Sequence, residues 1–214
     1  MKSPPVIFHH IPKCGGTSLL QVLGRWFKLV RDYPTGWDQA IGAPASLTSL
    51  GADCCLCGHF DTPQTRLRRR YRSAWYDQRV VVFTFLRDPL ESALSLYRWE
   101  GRTGFRREDV LERHLLAHAG LLARTLGVDR RTYPAVLARY RFIGLVETMT
   151  ASVDRLAKLL GKPRLPVPRL NVTDPRGRAP HRRRLRAEAI AAFKARAALD
   201  YEIVAAVRRR FGHA

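Results

Sequence analysis

Apolar residues along this chain fall into two kinds of block that alternate. Short, nearly unbroken runs occur at Val6-Ile7-Phe8, Cys54-Cys55-Leu56-Cys57, Val80 to Leu86 and Phe142 to Val146. Their length is that of strands buried on both faces. Between them, apolar residues return at helical spacing. Leu19, Leu20, Leu23, Trp26, Phe27 and Val30 predict a helix from Ser18, with Thr17 or Ser18 as its N-cap. Thr62-Pro63 reads as the N-cap and first position of a second helix, and Asp88-Pro89 starts a third through about Glu100. Further helical stretches run from Glu108 to Leu126, from Tyr133 to Tyr140 and from Thr150 to Leu160, the last closed by Gly161. Tyr33 to Ala52 has no steady period and reads as an irregular excursion. Lys162 to Pro180 is proline-rich and loop-like, and a basic helical tail follows from about His181 to Phe211.

Near-continuous apolar strands alternating with helices predict an α/β fold, a central and mostly parallel sheet flanked by helices. The 214 residues suit one domain spanning 1–214, and a hydrophobic share of 46% is enough for a full core. No repeat is visible. No apolar run approaches the ~20 residues that a membrane span needs, and the N-terminus carries no signal-peptide pattern. The expected location is therefore the cytoplasm. The four cysteines, Cys14, Cys54, Cys55 and Cys57, include three crowded into one strand, where regular pairing would be awkward, so a reducing compartment is expected.

Charge changes the picture more than composition does. With 38 basic and 18 acidic side chains the formal net charge is +20. Such a field attracts polyanions of every kind, including nucleic acid, anionic lipid, acidic glycans and phosphorylated cofactors, and selects none of them. It also allows peripheral contact with an anionic membrane. The chain shows no zinc-finger or helix-turn-helix pattern, and its basic tail lacks the interleaved aromatics of a single-strand stacking platform. A nucleic-acid partner is accordingly not expected.

The chemistry concentrates at strand ends. At the first one, His10-Ile11-Pro12-Lys13-Cys14-Gly15-Gly16-Thr17-Ser18 joins strand to helix. A glycine pair lets backbone approach an anion, a helix start supplies free N–H groups, Lys13 adds a point charge, and Thr17 and Ser18 add hydroxyls. The same residues would serve a plain turn, but placement at a first βα junction favours an anion site. The Walker pattern is absent, because the lysine precedes the glycines, which disfavours an ordinary ATPase, GTPase or nucleotide kinase. At the third strand end, Arg87 and Ser95 flank a helix start and can reach one phosphate, although Arg87-Asp88 read alone serves equally as a capping ion pair.

The first segment resembles the 5'-phosphosulfate-binding loop of carbohydrate sulfotransferases related to the heparan sulfate 2-O-sulfotransferases, whose usual reading is HIPKTGGTS; Cys14 stands where threonine is common. Phe85-Leu86-Arg87-Asp88-Pro89 through Ser95-Leu96-Tyr97 resembles the family's 3'-phosphate motif, RDPxxRxxSxY, with Ser92 in place of the second arginine and Arg98 nearby as a compensating charge. Gly58-His59-Phe60, Phe142 to Glu147 and Leu170-Asn171-Val172 add weaker likenesses. The resemblance implies a P-loop-like sulfotransferase fold and a donor, 3'-phosphoadenosine-5'-phosphosulfate (PAPS), that leaves as adenosine 3',5'-bisphosphate (PAP). It implies a hydroxylated acceptor and favours a sugar; a polysaccharide, a glycolipid or a small hydroxylated metabolite would each fit a basic cleft, and an anionic sugar matches the charge. It assigns Lys13, Cys14, Gly15, Gly16, Thr17 and Ser18 to the 5' side and Arg87 and Ser95 to the 3'-phosphate, with Arg176 and Arg178 near the nucleotide.

Loose in-line transfer leaves the protein mainly positioning and charge stabilisation. Lys13 is expected to stabilise the leaving phosphate and His59 to take the acceptor's proton. His10 and Asp61 are the reserve bases. His59 could instead cap its strand, or join Cys54 and Cys57 on zinc, although a fourth ligand and the usual second cysteine pair are missing. The proposed chemistry requires no metal.

Overall fold

A computed structural model describes residues 5–33, 42–47, 50–106, 108, 110–168, 170 and 185–212. Five strands, β1 (Val6–His9), β2 (Lys28–Arg31), β3 (Cys54–Gly58), β4 (Val81–Leu86) and β5 (Phe142–Leu145), form one sheet in the order β2-β3-β1-β4-β5. Every pairing is parallel. The helices that follow β1 and β4 are α1 (Gly16–Trp26) and α4 (Pro89–Thr103). Short helices α2 (Leu67–Arg70) and α3 (Arg72–Tyr76) precede β4. After α4 come α5 (Leu111–His118), α6 (Leu121–Leu126) and α7 (Tyr133–Arg139), and β5 leads through a 3-10 turn into α8 (Met149–Leu160). Two C-terminal helices, Ala187–Arg196 and Ala198–Phe211, end the described chain.

Strand alternation divides the core. Val6, Phe8, Cys55, Cys57, Phe83 and Phe85 face α1 and α8, against Leu19, Leu23, Trp26, Val153 and Leu156. Ile7, Leu56, Val82, Leu86 and Ile143 face the other way, against Leu67, Trp75, Leu126, Leu137 and Ile203. The sheet is thus covered on both sides, which is why its strands read as unbroken apolar runs. All four cysteines are free, and Cys55 and Cys57 serve as small core residues.

Several expected boundaries move. The helix predicted through Val30 ends at Trp26, and Leu29 and Val30 belong to the edge strand β2. A strand of four residues carrying Lys28 and Arg31 has no period-2 apolar signal strong enough to separate it from the preceding helix. Thr62 does not cap a helix. Its hydroxyl and that of Thr65 bond each other at 2.8 Å in a turn, and the helix begins at Leu67. The stretch from Glu108 to Leu126 breaks at Gly120, whose φ of 76° is left-handed. The basic tail divides at Ala197, and its residues 181–184 lie outside the described set, as do Asn171 and Val172. Among the described residues, no helix is long and apolar enough to cross a membrane.

Candidate functional site

β1 and β4 lie side by side, with His9 paired to Thr84, and the strand order turns back between them. In an open α/β sheet such a switch point, at the carboxyl ends of the strands, leaves a crevice where ligands bind. Thr84 Oγ1 donates to the His9 carbonyl at 2.7 Å and ties the two strand ends together. The loop bearing Lys13 and the segment bearing Arg87 both leave the sheet here.

The loop after β1 reverses tightly. Lys13 has φ 64° and Gly15 φ 74°, both left-handed, which costs a side-chain-bearing residue roughly 1–2 kcal/mol. A Cβ on Gly15 would lie 2.4 Å from Met149 Cε, and one on Gly16 would lie 1.8 Å from His10 Nε2. Glycine is therefore required twice, once for backbone conformation and packing, once for the histidine ring. Gly15 caps α1 without any side-chain hydrogen bond, so the first-turn amides keep their donors for another partner at the positive end of the helix. Thr17 is exposed, whereas Ser18 is buried and its Oγ accepts from the Leu170 amide at 3.2 Å. Lys13, Gly15, Gly16, Thr17 and Ser18 thus come together at one helix start.

Opposite them lies the polar face of α4. Glu91, Ser95, Arg98 and Arg102 recur every three or four residues, while Leu90, Ala93, Leu94 and Tyr97 point into the core. Lys13 Nζ sits 5.0 Å from the Trp99 ring centre. Burial, followed by the charges of Arg102, Arg87 and Arg98, draws the Lys13 ammonium down to about 8. Arg87 reaches Glu91 at only 3.8 Å, a loose pair. Arg98 is held below its ordinary value by burial and then by Arg87. Its Nε and Nη1 are buried and have no hydrogen-bond partner among the described residues. Lys13, Arg87, Arg98 and Arg102 outnumber Glu91 and Glu100, the carboxylates that act on Lys13 and Arg98, and together make an anion site.

Cys14 is buried, and burial pushes its thiol up to about 12. Its Sγ lies 3.8 Å from Ser92 Oγ. Cys14 and Ser92, the two positions at which the sequence departs from the motifs it resembles, are therefore neighbours, a small thiol against a small hydroxyl.

The histidines divide by environment. His59 Nδ1 is 2.6 Å from the His10 carbonyl, which can only accept, so Nδ1 carries the proton and Nε2 the lone pair. Burial lowers its pKa, against the raising effects of that hydrogen bond and of Asp61. His59 is then a neutral imidazole with an available basic nitrogen. Asp61 acts on it only through charge. His10 packs its ring over Gly16, and its Nδ1 pairs with Tyr33 OH at 3.1 Å. His9 Nδ1 pairs with Tyr140 OH at 2.7 Å. Burial first and His59 second push both down to about 3. Cys57 faces α1 in the core and Cys54 lies on the opposite side of the strand. Those two and His59 do not converge, and no group of three metal-ligating residues occurs among the described residues.

Arg176 and Arg178 lie outside the described residues. Sequence reasoning missed Trp99 and Arg102, although both follow from continuing the Arg87, Glu91, Ser95 periodicity by another two turns. Tyr33, which meets His59 edge-on at 4.8 Å, gives no such signal.

No protein-family model matches the chain, and no curated protein matches its sequence. Solved structures do resemble it. A sulfotransferase from Alicyclobacillus acidocaldarius superposes with a TM-score of 0.58 at 15% identity, over 98% of this chain and 96% of that one. The mouse sulfotransferase SULT7A1 complexed with PAP superposes with a TM-score of 0.56 at 10% identity, over 92% of this chain and 84% of that one. The five-stranded parallel sheet with its flanking helices is the fold of these sulfotransferases.

Proposed function

We propose that this protein transfers a sulfuryl group from PAPS to a hydroxyl of a saccharide or glycolipid acceptor. The observation that carries the reading is that Lys13, on the loop that leads into an uncapped helix start at Gly15 and Gly16, lies within charge range of Arg87, Arg98 and Arg102. A donor with phosphates at both the 5' and 3' positions matches a site with amides and a lysine on one side and arginines on the other. The mouse sulfotransferase that shares the fold was solved with PAP, which fits the same donor.

PAPS supplies the activated sulfuryl group. The Gly16 and Thr17 amides and Lys13 would hold the 5' side, and Arg87 with Ser95 the 3'-phosphate. Lys13 would stabilise the charge that grows on the departing phosphate oxygen, a task worth most where water is excluded. His59 Nε2 would accept the acceptor's hydroxyl proton, and the His10 carbonyl would hold the imidazole in that tautomer. The exposed Trp99, stacked 5.8 Å from Phe105 and next to Lys13, offers a sugar ring an apolar face beside the reacting group. This chemistry uses no metal.

The test is calorimetric titration of PAP at ~150 mM salt, where attraction between exposed charges is screened beyond ~8 Å. ADP, ATP and the Arg87→Ala variant are the controls, and sulfate transfer from labelled PAPS to candidate sugars follows. PAP binding well above ADP and ATP, and weakened by Arg87→Ala, supports the reading. Equal binding of all three nucleotides, indifferent to the substitution, means that the basic surface merely collects anions. Loss of transfer in His59→Ala with PAP affinity kept would fit the base role; unchanged transfer would remove it.

A further inference from the structure

Among the described residues, Arg98 is the cation of the α4 face that carries hidden and unpartnered guanidinium nitrogens. Its Nε and Nη1 have no solvent contact and no hydrogen-bond partner among the described residues. A guanidinium cannot shed its charge at neutral pH, so burying it without partners is costly. Such an arrangement persists where a ligand completes it. The side chain stands one turn beyond Ser95 on the same helix face and within electrostatic reach of Arg87 and Lys13. Position 92, about one turn before Ser95, carries a serine that contacts Cys14 and brings no charge of its own.

We propose that Arg98 is a direct ligand of the donor's 3'-phosphate, closing with Arg87 and Ser95 a three-point clamp in which Nε and Nη1 donate to phosphate oxygens. Arg98 follows Ser95 by one turn on the same face of α4, the helix that Arg87 introduces, and this places it on the 3' side. Ordered on a helix rather than a loop, it sets nucleotide selectivity: without a 3'-phosphate the two arginines repel, and with one they share it. The proposal rests on the reading of the site as a PAPS site.

The experiment compares wild type, Arg98→Met and Arg98→Lys by calorimetry with PAP and with ADP, alongside thermal unfolding without nucleotide. Arg98→Met is expected to lose about 10- to 100-fold in PAP affinity, the worth of charge-assisted hydrogen bonds, and to leave ADP affinity within about twofold. Arg98→Lys should recover part of the loss. The nucleotide-free melting temperature of Arg98→Met should stay level or rise, because an unpartnered buried charge has been removed. Unchanged PAP affinity in Arg98→Met overturns the proposal. Equal losses for PAP and ADP, or a lowered melting temperature with rescue by neither nucleotide, also overturn it in favour of a structural role. Wild-type protein that fails to prefer PAP over ADP overturns the underlying reading, and the proposal with it.

Discussion

The two βα junctions at the switch point are neighbours built in opposite ways. After β1 the chain passes two left-handed residues, Lys13 and Gly15, and enters α1 with no side-chain cap. After β4 it enters α4 through a closed arrangement: the Asp88 carboxylate accepts from the Glu91 amide at 3.0 Å, Pro89 occupies the first turn, and the Asp88 amide donates to Glu147 at 2.7 Å. The first junction therefore offers backbone donors and the second only side chains. A ligand gripped by both feels shape at one end and charge at the other.

The difference is tested most strongly at the lysine. Lys13→Ala should lower the sulfuryl-transfer rate by roughly 10²–10³-fold, the usual cost of losing one preorganised stabilising group, while thermal stability stays near wild type. Steady-state transfer with melting curves checks both. Next comes Gly16→Ala, which drives a methyl into the His10 ring and should cost about 3 kcal/mol of stability, at the upper end of overpacking. Denaturant unfolding measures it, and a cost near zero would show that the histidine ring moves aside freely.

A pH titration sharpens the electrostatic side. Lys13 has a free-state pKa of about 8, and a bound phosphate raises it. Below about 8 the ammonium is charged with or without ligand, so Lys13 adds no pH dependence to PAP affinity there. Above it the free protein loses a proton that the complex keeps, so affinity falls with rising pH by up to roughly tenfold per unit. Lys13→Arg, permanently charged, should flatten the profile in calorimetry. Asp88→Ala is the mildest case, removing a cap worth ~1 kcal/mol, and differential scanning calorimetry should see a small drop. The corresponding loss cannot occur at Gly15, which has no capping side chain to remove.

Much of this was legible before any coordinates. The runs at Val6, Cys54, Val81 and Phe142 are strands because both faces are covered, and a run apolar at every position has few other homes. The loop from His10 to Ser18 announced a strand-to-helix turn through its glycines. The edge strand β2 stayed hidden, since Leu29 and Val30 continue the apolar spacing of α1, and only pairing with β3 converts them. The place of His59 at a strand end was legible, but its tautomer depends on a carbonyl 49 residues away. Arg98 was visible as a charge and not as a buried one.

Local sequence thus determined the alternation of strand and helix, the need for glycine at positions 15 and 16, and the period that aligns Glu91, Ser95, Arg98 and Arg102. These depend on the near-neighbour sterics and helical geometry of contiguous residues. Tertiary structure decided which strand ends meet, that Cys14 touches Ser92, and that Lys13 shares one space with three arginines. Sheet order and burial bring together residues far apart in the chain, and electrostatic coupling exists only once water between them has been excluded.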